Sequence, residues 1–129
     1  MLSRTYVVLE AGVVIAYYTL AHIDVQQADV PKKFGRGMPS SIPSMLMGRF
    51  AVDRHHMGKG LGRGLFIDAL SRTWAAMRFG PAPMRLFVVD AKDDEAKKFY
   101  EHFNMVPSPV SPMRLILSYK SLSELFDAE

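Results

Sequence analysis

"DRHHMGKGLGRGL", Asp53 to Leu65, places Gly58, Gly60, Gly62 and Gly64 within seven residues, with Lys59 and Arg63 among them. Glycine costs backbone entropy, so such a cluster marks backbone that turns sharply or that something approaches closely. An apolar run, Met45 to Val52, precedes it. After it, Leu61, Leu65, Phe66, Ala69, Leu70, Thr73, Trp74 and Met77 recur at the spacing of an amphipathic helix. A strand, then glycines, then a helix start makes an anion site, because free N–H groups and the positive end of the helix macrodipole converge there. Two phosphate loops do not fit. A Walker loop needs a glycine four residues ahead of Gly-Lys and a hydroxyl after it, where this chain has Asp53 and Gly60. The dinucleotide fingerprint G-x-G-x-x-G ends on Arg63, Leu65 or Ile67 in its three registers.

Outward from the loop, Tyr6–Leu9 and Val13–Leu20 read as two strands joined by the turn Glu10-Ala11-Gly12, a hairpin. Residues 24–43, rich in Pro, Gly, Lys and Ser, read as a long loop. Met45–Val52 is a third strand, and the helix from Leu61 to Met77 stops at Gly80-Pro81-Ala82-Pro83. A buried strand, Arg85–Val89, precedes a second helix opened by Asp93, Asp94 and Glu95, acids that complement the macrodipole. Its apolar face is Ala96, Phe99, Tyr100 and Phe103. A strand over Met113–Ser118 and a short helix over Leu122–Phe126 close the chain. This order predicts an α/β or α+β fold, a mixed sheet with helices packed on it.

A chain of 129 residues suits one domain, 1–129. It contains no cysteine, which excludes disulfides, a cysteine nucleophile and thiolate metal sites, and we expect no metal. No apolar stretch reaches the roughly 18 residues that span a bilayer, and the start lacks a secretory signal, so a cytoplasmic protein without membrane contact is expected. The formal charge of +3 permits an anionic partner without demanding one.

The loop His55-His56-Met57-Gly58-Lys59-Gly60-Leu61-Gly62 resembles the acetyl-CoA loop of the GCN5-related N-acetyltransferases, Q/R-x-x-G-x-G/A, with His55 where Gln or Arg is usual. "DDEAKKFYEHFNMVPSP", Asp93 to Pro109, resembles that family's last helix and following strand, with Asn104-Met105 in place of Gly-Phe. Asparagine tolerates the left-handed conformation nearly as glycine does. Together with "MGRFAVD" and "LILSYKSL", these stretches resemble the acetyltransferase toxins of type II toxin–antitoxin systems. The resemblance runs from about Ser3 to Leu122.

The resemblance implies a mostly antiparallel mixed sheet with helices on both faces, lacking the family's first strand and helices. It implies acetyl-CoA held by Ala51, Val52, His55, Met57, Gly58, Lys59, Gly60, Leu61 and Gly62. Tyr100 would be the general acid that protonates the departing thiolate. The implied acceptor is aminoacyl-tRNA, with a ribbon-helix-helix antitoxin and a second copy of the chain as partners. Lys32, Lys33, Arg36 and Arg49 would supply basic surface for tRNA beside the acceptor mouth, because phosphate contacts dominate nucleic-acid affinity. The amine of an aminoacyl ester is less basic than a free α-amino group of pKa about 8, so a strong base is dispensable. His55 and His56 lie on the phosphate side. Other readings are transfer to a small amine or protein N-terminus, or an inactive module that only binds coenzyme A. Asp53 is expected to cap a turn, and Trp74 and Met77 to lie in the core.

Overall fold

The computed structural model describes residues 2–81 and 83–126. In chain order the elements are β1 (Ser3–Glu10), β2 (Val13–Gln26), α1 (Lys32–Gly35), β3 (Ser41–Val52), α2 (Leu61–Phe79), β4 (Leu86–Asp90), α3 (Asp94–Glu101), β5 (Val106–Pro107), β6 (Arg114–Ser118) and α4 (Tyr119–Phe126). The strands form one sheet in the order β1-β2-β3-β4-β6-β5. Only β3 and β4 run parallel; every other pair is antiparallel. The expected mixed, mostly antiparallel sheet is present.

The hairpin turns at Ala11 and Gly12, both with positive φ (50° and 79°), the backbone of a tight two-residue loop whose twist matches its strands. Alternation along the strands sends side chains to two cores. Tyr18, Leu20, Met45, Met47, Phe87, Val89, Leu115 and Leu117 meet α2, α3 and α4 on one face. Val25, Ile42, Leu86, Val88 and Ile116 meet Phe34 of α1 and Met38 on the other. Helices thus lie on both faces, unevenly. Phe66 of α2 is fully buried and packs its ring against Phe50, Phe87, Phe99, Tyr100 and Phe103, joining α2, α3 and the middle of the sheet. Such aromatic pairs are worth about 0.5–1.5 kcal/mol each beyond their buried area.

The expected loop over 24–43 is shorter than its composition implies. β2 continues to Gln26 and β3 begins at Ser41, with Asp24 opposite Pro43 and Val25 opposite Ile42. Ile23, Val25 and Ile42 point into the second core, and that burial overrides the weak strand preference of Asp, Ser and Pro. Within the remaining connection, Lys32 and Lys33 lie in the single turn of α1. Gly80 ends α2; Ala82 lies outside the described residues. Asn104 adopts the left-handed conformation (φ 66°) anticipated from its place after α3.

Candidate active site

β3 and β4 part company. They pair from Ser44 opposite Leu86 to Met47 opposite Val89 and no further. At that point β3 bulges against β2, where the register shifts between Tyr18 and Leu20. Arg49 N–H donates to Thr19 Oγ1 across the bulge (2.9 Å). Gly48 makes the close approach possible, since a Cβ there would sit 3.0 Å from that same oxygen. Beyond the bulge β3 runs on to Val52 with only β2 beside it, Phe50 opposite Tyr18 and Val52 opposite Ala16. β4 ends at Asp90, paired with β6. Gly48–Val52 therefore borders a wedge along an edge that has no strand partner, and backbone groups there are free to hold an extended ligand.

The glycine loop stands at the end of this edge. Asp53 caps the single turn Arg54–His56 by accepting from His55 N–H, as expected of it. Gly58 and Gly60 have φ of +76° and +81°, conformations that side chains disfavour, and Gly60 is the N-cap of α2. Gly62 and Gly64 lie inside the helix, where glycine costs about 1 kcal/mol relative to alanine. A Cβ at Gly64 would meet nothing within 4 Å, and one at Gly62 would only touch Val52 at 3.8 Å. Nothing in the chain's own packing requires glycine at either place. The first turn of α2 has no acid and carries Arg63, so its unbonded N–H groups present a positive, bare surface. A pyrophosphate fits such a surface.

His56 ties the segment ahead of the loop to the distant hairpin turn. Its two ring nitrogens lie 2.9 Å from Asp53 Oδ2 and 2.5 Å from Glu10 Oε2. Hydrogen bonds to Asp53 and Glu10 raise the imidazole above the ordinary histidine range, and the His56 bond holds Asp53 below the usual carboxylate range. His56 is thus a strut, consistent with its expected place on the phosphate side; His55 is exposed. Farther along, Tyr18 Oη donates to Asp68 on α2, and Arg72 Nε donates to the same carboxylate (3.0 Å) while lying over the Tyr6 ring. Burial works against the Asp68 charge, but these two bonds hold its carboxyl below the usual range, and the group braces α2 against the hairpin.

Tyr100 reaches the wedge from α3, whose N-cap Asp93 accepts from Ala96 N–H (2.8 Å). Its ring packs 6.4 Å from Phe50 on the parting strand and 5.3 Å from Phe66. The residue is 6% exposed, yet its hydroxyl has no partner among the described residues and is not one of their buried, unsatisfied atoms. The ring is core and the oxygen keeps access to open space. Burial first, and the Asp93 charge second, push the phenol up to about 12.

The structure brings together Ala51, Val52, Met57, Gly58, Lys59, Gly60, Leu61 and Gly62 along the wedge and loop, with His55 exposed in the turn between strand and loop and Tyr100 on α3. It does not bring the four basic residues together. Arg49 sits at the bulge beside the wedge, whereas Lys32, Lys33 and Arg36 lie before the start of β3. Ser41 and Arg49 are eight residues apart on one strand, on the order of 25 Å at ~3.3 Å per residue. Sequence reading missed Glu10 and the Tyr18–Asp68–Arg72 group, whose partners are remote in sequence. Gly48 inside an apolar run was the available sign of the bulge.

No family model matches the chain. It is 40% identical over 124 residues to the "tRNA-acetylating toxin" of Mycobacterium tuberculosis (strain ATCC 25618 / H37Rv), a match covering 95% of this chain and 73% of that protein. Among solved structures it is similar to AtaT complexed with acetyl-methionyl-tRNAfMet, with TM-score 0.85 and 28% identity, over 96% of this chain and 75% of that one. It is also similar to a tyrosine-to-phenylalanine mutant of AtaT bound to the C-terminus of the antitoxin AtaR and acetyl-CoA. There the TM-score is 0.70 and the identity 28%, over 88% of this chain and 66% of that one. The parted strands, the bare helix start and these likenesses agree: the chain belongs to the tRNA-acetylating toxins, the toxin branch of the GCN5-related N-acetyltransferases, and is an acetyltransferase.

Proposed function

We propose that this chain, as one domain, transfers the acetyl group of acetyl-CoA to the amino group of an aminoacyl-tRNA and so blocks translation. The observation that carries the reading is the wedge: β3 and β4 separate at Met47 and Val89, with the glycine-lined start of α2 at one end and the Tyr100 ring packed beside Phe50 on the parting strand. Acetyl-CoA supplies an activated thioester. The residues that would hold it are Ala51 and Val52 through the free strand edge, and Met57 to Gly62 through loop N–H groups. Backbone N–H groups near Phe50–Val52 are the donors for a developing oxyanion, which in acyl transfer is often the largest catalytic contribution. Tyr100 Oη holds the proton that the leaving thiolate needs.

A mostly neutral acceptor amine removes the need for a strong base. The likeness to antitoxin-bound AtaT supports an antitoxin partner; we take that partner to be of the ribbon-helix-helix type, and the toxin to be a cytoplasmic homodimer. Among the described residues no helix is long and apolar enough to cross a membrane. The test incubates the purified chain with labelled acetyl-CoA and charged tRNA, then releases and identifies the amino acid. Acetylated amino acid is expected. Label only on small amines or protein N-termini would refute the acceptor, and calorimetric binding of acetyl-CoA without transfer would refute the activity.

A further inference from the structure

A groove of about 500 Å³ opens at the end of the sheet opposite the glycine loop. Four cations line it, drawn from three separated parts of the chain: Lys33 in α1 with Arg36 just after it, Arg85 ahead of β4, and Lys120 in α4. Backbone bonds hold these parts together, Arg85 N–H to Pro43 C=O (2.8 Å) and Tyr119 N–H to Arg85 C=O (2.9 Å). None of the four is in an ion pair among the described residues, and all are exposed. One carboxylate, Glu124, shares the groove. The described lining thus carries an excess of three positive charges.

A concentrated, unpaired positive charge costs self-repulsion and is held against something anionic. Acetyl-CoA at the glycine loop is not that something. Pro43 and Val52 lie nine residues apart on β3, so the groove and the loop are about 30 Å apart at ~3.3 Å per residue. The Debye length at physiological salt is about 8 Å, and exposed charges do not act across that span. The wedge opens after Met47, four residues from Pro43 on β3, so it begins about 13 Å from the groove at ~3.3 Å per residue. A ligand with its acceptor end in the wedge and anionic groups in the groove is an extended polyanion, and a nucleic-acid strand with a phosphate about every 3.4 Å covers that span in roughly four phosphates.

We propose that the Lys33–Arg36–Arg85–Lys120 groove binds the phosphate backbone of the acceptor RNA while its aminoacyl end occupies the wedge. The proposal rests on the aminoacyl-tRNA reading above. It moves the RNA contact from a single basic loop to a composite surface that includes Arg85 and Lys120.

The probe is uncharged tRNA, bound to the full chain without acetyl-CoA at several salt concentrations. Each neutralised phosphate contributes about 0.7–0.9 to the slope of log K against log salt. Replacing Lys33, Arg36, Arg85 and Lys120 together by Gln should lower the slope by about 2–4, with affinity falling at least ~tenfold near 0.1 M salt. Acetyl-CoA affinity of that variant should stay at the wild-type value, which also reports an intact fold. Glu124→Gln removes the one opposing charge and should act the other way, strengthening tRNA binding. An unchanged slope in the quadruple variant, or no gain with Glu124→Gln, would overturn the proposal. Salt-dependent tRNA binding through the groove with no acetylation of aminoacyl-tRNA by wild type would refute the acceptor reading and leave the groove standing. Acetylation of aminoacyl-tRNA with equal KM in wild type and quadruple variant would do the reverse.

Discussion

Tyr100→Phe removes one oxygen from the wedge and nothing else. The hydroxyl has no partner among the described residues, so its loss leaves no donor or acceptor stranded, and thermal stability near neutral pH should not change. The effect on turnover follows from the pKa. A phenol raised to about 12 faces a thiolate whose conjugate acid titrates near about 8.5. Complete transfer of the proton is uphill by about 3.5 units, or about 5 kcal/mol, so Tyr100 works mainly as a hydrogen-bond donor to charge building on sulfur. That places its contribution at the low end of the ~10²- to 10⁴-fold range for general acids. Steady-state assays should show kcat about 100-fold lower, some 2.7 kcal/mol, with KM for acetyl-CoA nearly constant. The pH profile checks the same reasoning. Because the folded pKa lies above the unfolded value of about 10, Tyr100 stays protonated through pH 10 and imposes no alkaline limb on kcat there. Burial disfavours the phenolate, so wild type and variant have the same stability below about pH 10, and between about 10 and 12 the wild type alone loses stability at this position. A variant that keeps more than half its rate, or a wild-type limb near pH 9 that the substitution abolishes, would refute the argument.

Gly62→Ala and Gly64→Ala should each stabilise the ligand-free protein by about 0.5–1 kcal/mol, since both lie in α2 and neither Cβ meets a close neighbour. Calorimetric binding should then separate them: Gly62→Ala, whose methyl faces Val52 and the wedge, loses acetyl-CoA affinity while Gly64→Ala keeps it, and full affinity in both would exclude ligand from that side of the loop. The His56 strut predicts a pH dependence. Its raised imidazole supplies stability that is fully present below about 6.5 and lost as pH rises through the folded value; the lowered Asp53 supplies stability that is lost only in acid. Melting curves of Glu10→Gln should show a smaller alkaline loss that is complete at lower pH than in wild type, because one of the two carboxylates that raise His56 is gone; coincident curves would show that the Glu10 contact contributes nothing.

How much of this was legible in the sequence depended on how local the cause was. The helix beginning at Leu61 was readable because each apolar residue is set by its neighbours three and four places away, and the structure begins α2 at that residue. The left-handed Asn104 and the capping role of Asp53 were readable for the same reason, a local effect of a residue on its own or nearby backbone; Asp93, read as a first-turn acid, is instead the N-cap of α3. The ends of β2 and β3 were not, because Asp24 and Pro43 are strand residues only by virtue of each other and of the core behind them. In the site, the glycines announced an anion, but the wedge is a place where pairing stops, and a missing partner leaves no residue to read. The Glu10–His56 contact spans 46 positions. The groove was hardest of all: Lys33, Arg85 and Lys120 each look like an ordinary solvated charge among the chain's 29 Lys, Arg, Asp and Glu residues. Local reading therefore found Lys33 and Arg36 through their crowding in one segment and passed over Arg85 and Lys120. Only folding shows that Lys33, Arg36, Arg85 and Lys120 meet at one end of the sheet, out of electrostatic reach of the glycine loop.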